Sequence, residues 1–152
     1  MEIPNPENSD FGFQDFMKTV DAVIMGRKTF EQVLSFGEWP YTKKVFVLSS
    51  TLRSLPGAVS EKAEIVSGDI TEIISNLNTR GFRNFYVDGG KTIQSFLKED
   101  LIDEMIITRA AVLLGSGIPL FDSLTESLEF EVIKTGKLND HLAMSHYRRI
   151  RR

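Results

Sequence analysis

Two apolar runs in this chain stop at a glycine and pass directly into helical stretches: VIMGRKT at residues 23–29 and YVDGGKT at residues 86–92. FEQVL follows the first and IQSFL the second. Continuous apolar strands separated by helices imply a parallel sheet covered on both faces. Functional sites in such sheets lie at the carboxyl ends of the strands. Both glycine turns stand at such ends.

The rest of the chain extends the same alternation. Phe13, Phe16, Met17 and Val20 have helical spacing, and Ala22–Met25 reads as a buried strand. Phe30, Val33 and Leu34 share one helix face; KVFVL (44–48) and Ala63–Val66 read as strands. Asp69 with Glu72 three positions later forms a capping-box-like start, and Ile70, Ile73, Ile74 and Leu77 make one apolar stripe ahead of Gly81. Asn84–Val87 reads as a strand, Ile93, Phe96 and Leu97 as a helix, and Glu104–Thr108 as a strand. After residue 108 the pattern changes. VLLGSGIPLF (112–121) is a loop, and LEFEVIKTG and HLAMSHYRRI flank Lys137–Asp140 as two alternating antiparallel strands. The expected class is α/β, with a mostly parallel mixed sheet ending in an antiparallel hairpin. Residues 1–152 are expected to form one domain.

Composition removes several functions. The chain has no cysteine, which excludes disulfides, thiolate metal sites and cysteine nucleophiles and favours a cytoplasmic protein. A net charge of −3 gives no electrostatic reason to expect nucleic acid. Arg148, Arg149, Arg151 and Arg152 form the one basic cluster and read as a solvated strand end, with a local anion contact as the alternative. No stretch approaches the ~20 apolar residues of a membrane span, and the N-terminus lacks the form of a signal peptide. His141 and His146 lie five apart on the hairpin, on opposite faces of a regular strand, which speaks against a metal site.

The chemistry left to the glycine turns is anion binding. A helix N-terminus offers free N–H groups and partial positive charge, and glycine lets a ligand approach the backbone. A cation and a threonine hydroxyl complete a phosphate site. Gly26-Arg27-Lys28-Thr29 and Gly89-Gly90-Lys91-Thr92 each supply all of these parts. Glycine for turning alone is the structural alternative. A Walker A loop would need glycine where Phe85 stands, and Gly115–Leu120 lacks the last glycine of a dinucleotide fingerprint. No G-x-S-x-G elbow is present.

VIMGRKTFE, then VFVLSS, then YVDGGKTIQSFL, then IDEMIITRAAVLLGSGIPLF together resemble the dihydrofolate reductase superfamily, in particular the reductase domain of the bifunctional riboflavin-biosynthesis deaminase-reductase. The blocks cover most of residues 10–150. The resemblance implies a dihydrofolate reductase-like three-layer α/β/α fold, bound NADPH, hydride transfer to a small heterocyclic or ribosylamino-pyrimidine-like substrate, and a homodimer. By position, Gly26, Arg27, Lys28 and Thr29 would hold the cofactor phosphates, and Ser49 and Ser50 the side of the adenosine 2′-phosphate. Asp88, Gly89, Gly90, Lys91, Thr92 and Ile93 would lie under the pyrophosphate and nicotinamide ribose. The family often has a cis peptide at this glycine pair, and one is expected here. Thr108 matches a threonine facing the substrate. Asp10 falls near the acidic residue of the folate-reducing members, although it also suits a helix cap. Family members begin with a further strand of the type ASLDGYIA, some twenty or more residues ahead of Met1. The expectation is therefore a domain shortened relative to the family. The alternative is a nucleotide- or phosphate-binding remnant without catalysis.

Overall fold

The two apolar runs that end in glycine are neighbouring strands. The computed structural model describes residues 3–152, which divide into two compact units: residues 13–95, and residues 3–12 with 96–152.

The first unit carries α1 (Phe13–Met17), β1 (Ala22–Gly26), α2 (Arg27–Ser35), β2 (Lys44–Leu48), a single 3-10 turn at Gly57–Val59, β3 (Ala63–Val66), α3 (Ile70–Thr79), β4 (Phe85–Asp88) and most of α4 (Gly90–Lys98). The strands form one parallel sheet in the order β3-β2-β1-β4. Ala22–Met25 and Val45–Val47 are wholly buried, because both faces are covered. Val23, Met25, Val45 and Val47 join Met17, Val20, Phe30 and Val59 on one side. Ile24 and Phe46 alternate to the other side, where the Phe82 ring meets Phe46 edge-on at 5.1 Å. Burial of side chains of this size stabilises by about 1.5–3 kcal/mol each, as an upper estimate.

α3 starts as its sequence directs: Asp69 accepts the Glu72 N–H at 3.2 Å. It stops at Gly81, whose φ of +98° turns the chain so that Phe82 N–H reaches the Leu77 carbonyl at 3.0 Å.

The second unit carries β5 (Glu104–Ala110), β6 (Phe130–Asn139) and β7 (Leu142–Arg149), antiparallel in the order β5-β7-β6. The terminal hairpin is as expected, but the strands of the chain are shared between two sheets. β6 also pairs on through Lys137 and Asn139, which leaves only Asp140 and His141 as the connection. Irregularities between Val132 and Lys134 and between Lys137 and Asn139 absorb the change of register.

The basic tail is neutralised within this unit. Arg149 grips Asp100 with two hydrogen bonds of 2.7 and 3.0 Å. Arg148 pairs with Glu131, Arg151 with Asp103 and Arg152 with Glu129. Among the described residues no helix is long and apolar enough to cross a membrane.

Candidate functional site

The register of β1 on β4 sets Met25 beside Asp88, so Gly26 and Gly89 follow side by side. Register with β2 sets Gly26 beside Leu48, one residue before Ser49. Three strand ends thus carry Gly26, Ser49 and Gly89 to one edge of the sheet. Each glycine then opens a helix: Gly26 is the N-cap of α2, and Gly89 precedes Gly90, the first residue of α4.

The two turns interlock. A methyl group on Gly26 would lie 2.9 Å from Thr92 Oγ1, and one on Gly89 would lie 2.5 Å from Thr29 Oγ1. Each motif's glycine makes room for the other motif's threonine. Gly89 also has φ +99°, which a side chain rarely adopts. Thr92 is buried, as this packing requires. Among the described residues no peptide is cis, so the cis bond expected at Gly89-Gly90 is absent, and the positive φ of Gly89 makes the turn instead.

Gly26 has no side-chain oxygen, and the start of α2 has no side-chain cap hydrogen bond. Arg27 lies across from the end of β2. Its Nε donates to Glu31 at 2.5 Å, and its Nη1 donates to Thr51 Oγ1 at 2.7 Å. Ser49 Oγ stands 3.4 Å from the Thr51 hydroxyl and accepts the N–H groups of Thr51 and Leu52. Ser50 is exposed beside them. Lys28 and Lys91 are exposed and enter no ion pair among the described residues.

Asp88 ends β4 in an aromatic corner. Tyr41 donates to its Oδ2 at 3.0 Å, and Tyr86 stands two residues before it on the same strand. Burial first, then the Asp88 charge, push both phenols up, Tyr86 to about 12 and Tyr41 further, so both stay protonated donors near neutral pH. Trp39 meets Tyr41 edge-on at 5.4 Å and Phe30 at 6.1 Å.

Of the residues singled out from the sequence, Gly26–Thr29, Ser49, Ser50 and Asp88–Ile93 gather at this edge. Asp10 and Thr108 belong to the other unit. Asp10 accepts the Gly12 N–H at 2.9 Å in a turn ahead of α1, and Thr108 is an exposed residue of β5 beside Met144. Glu31, Thr51 and Tyr41 were missed. Glu31 is four residues after Arg27, a readable helical ion pair, and Thr51 directly follows the serines. Tyr41 has no local signal. A groove of about 300 Å³ beside β3 and α3 is lined by Asp69 and Glu72, the wrong sign for an anion.

A protein of Shewanella sp. PV-4, assigned provisionally by its name to riboflavin biosynthesis, has a crystal structure that superposes with a TM-score of 0.94 at 51% identity, over 98% of this chain and 85% of that one. The uncharacterised protein YwjB of Bacillus subtilis is 34% identical over 142 residues, 91% of this chain and 80% of YwjB. The Thermotoga maritima diaminohydroxyphosphoribosylaminopyrimidine deaminase/5-amino-6-(5-phosphoribosylamino)uracil reductase shares the fold at a TM-score of 0.67 and 16% identity, and the chain spans half of its length. The RibD C-terminal domain profile matches residues 3–143, and the chain belongs to that family.

Proposed function

We propose that the chain is an NADPH-dependent reductase acting on a small heterocycle of the ribosylaminopyrimidine type. The reciprocal packing of the two glycine turns carries this reading. It sets two helix N-termini side by side at one sheet edge, with open backbone and three basic residues around them. Those residues fit a dinucleotide: the backbone at Gly90 is open, with nothing near the place a Cβ would take, and the α2 start has no side-chain cap of its own.

NADPH, when bound, supplies the hydride. The chain's residues bind and orient. Gly26, Arg27, Lys28 and Thr29 hold phosphate groups through backbone donors and charge. Ser49 and Ser50 serve the ribose that carries the extra phosphate, with Thr51 behind them. Gly89–Ile93 hold the second half of the cofactor. Asp88, held by the Tyr41 phenol, offers its remaining lone pairs to N–H groups of a substrate. Asp10 and Thr108 take the substrate-side places that the resemblance implies. We treat both units as one domain because the family match runs through both.

We further propose a cytoplasmic homodimer. The dimer is supported by the apolar segment after β5, where Leu113 is fully exposed, Leu114 71% and Ile118 91%, since neighbouring apolar side chains left open to water often mark an interface.

Trp39 is the only tryptophan and stands beside the Tyr41–Asp88 pair, so it reports on this site. Titration with NADPH should quench its emission and transfer energy to the dihydronicotinamide. No change at cofactor concentrations on the order of a millimolar sinks the reading. Binding without oxidation of NADPH across a panel of aminopyrimidine ribosides would favour a binding protein over a reductase.

A further inference from the structure

We infer that Glu31 is a resident counter-ion of Arg27, and that it sets how strongly this site prefers a dinucleotide bearing an extra phosphate. The inference rests on the nucleotide reading above and assigns a specificity role to a residue outside the glycine motifs.

Arg27 is held on two sides. Glu31, one helical turn on, takes its Nε–H, and Thr51, beyond the end of β2, takes one Nη1–H. A guanidinium has five N–H donors. The other three have no partner among the described residues, and the side chain is 45% exposed. The group is therefore fixed in direction yet still able to bind an anion. Thr51 is tied in turn to Ser49, so the free face of Arg27 belongs to the strand end that carries Ser49 and Ser50.

Glu31 has two opposed effects. It orients the guanidinium, which favours any acceptor placed there. It also cancels part of the charge, which weakens a phosphomonoester far more than a hydroxyl. A phosphate of nearly two negative charges repels the nearby carboxylate, and its bonds to Arg27 are charge-assisted. A 2′-hydroxyl feels almost none of this. The side chains of the pair are about half exposed, at 45% and 54%, so solvent screens the repulsion without removing it.

Glu31→Gln separates the two effects. The glutamine oxygen can still accept from Arg27 Nε, while the charge is gone. In the full chain, Glu31→Gln should bind NADPH about three- to tenfold more tightly at low salt, with NADH unchanged within about twofold. In an Arg27→Gln background the same change should have no effect. A general structural role for Glu31 would move both cofactors together.

The titrations use NADPH, NADH and inorganic phosphate. Weaker NADPH binding in Glu31→Gln, an equal shift for both cofactors, or a shift that persists without Arg27 overturns the inference. If neither dinucleotide binds the parent chain, the cofactor reading fails. The dinucleotide preference falls with it, and inorganic phosphate decides the rest: tighter binding to Glu31→Gln keeps Glu31 as the counter-ion that tempers Arg27, and no difference overturns that too.

Discussion

At the start of the β1–β4 pair, the Asp21 carboxylate accepts the N–H groups of Arg83 and Asn84, each at 2.9 Å, and Asp21 N–H reaches the Asn84 carbonyl at 2.7 Å. At the end of the same pair, each strand's glycine receives the threonine of the other. The first fastening uses up its donors on itself. The second holds the strands by shape and leaves the N–H groups of two helix starts without a side-chain acceptor from either glycine. One pair of strands thus has a closed end and an open end, and the proposed ligand site lies at the open one.

The largest test of that contrast is Gly89→Ala. It places a side chain at φ +99° and 2.5 Å from Thr29 Oγ1. Strain and overlap together should cost about 2–4 kcal/mol. Urea unfolding with an unchanged slope measures it. Adding Thr29→Ala should recover only the overlap, because the backbone strain remains. Full recovery would mean that the positive φ is incidental.

Gly26→Ala comes next. Its φ of −83° suits any residue, and only the 2.9 Å approach to buried Thr92 Oγ1 opposes it. The expected loss is about 1–2 kcal/mol. In a double-mutant cycle Thr92→Ala should remove most of that loss, a coupling of at least about 0.5 kcal/mol. Strict additivity would show that the two turns do not touch as described. The pair of experiments distinguishes a turn that needs glycine for its backbone from one that needs it only for space.

The contrast also marks how far the sequence could be read. Strand and helix identities around Ala22–Met25, Lys44–Leu48 and Ile70–Leu77 followed from periodicity, since burial on both faces leaves an unbroken apolar run and a capped helix announces its start. The glycine motifs were visible, but their interlock was not. It depends on the register of β1 against β4, which joins residues some sixty positions apart. The length of β6 was missed because Lys137, Leu138 and Asn139 look like a turn, while the bulges that let them pair have no sequence signature of their own. Tyr41 escaped for the same reason as the interlock: its partner Asp88 lies 47 residues away. Arg27 with Glu31 is the opposite case, a local pair readable from spacing alone.

The smallest effect belongs to the closed end and carries a pH signature. The backbone hydrogen bonds from Asn84 and Arg83 hold the Asp21 carboxyl below its usual range. A depressed folded-state value means the unfolded chain binds the proton more readily, so this stabilisation is present above the unfolded value of about 3.9 and is lost as pH falls through the folded value. Asp21→Asn keeps an oxygen acceptor and removes the charge. At neutral pH it should lower the unfolding midpoint by a few degrees at most, because the group is open to solvent. Midpoints measured for both chains from neutral to strongly acidic pH should converge below the usual carboxylate range. A gap that stays constant across that range would mean that shape, not charge, fastens this end as well, and the two ends of the β1–β4 pair would then differ only in what they leave exposed.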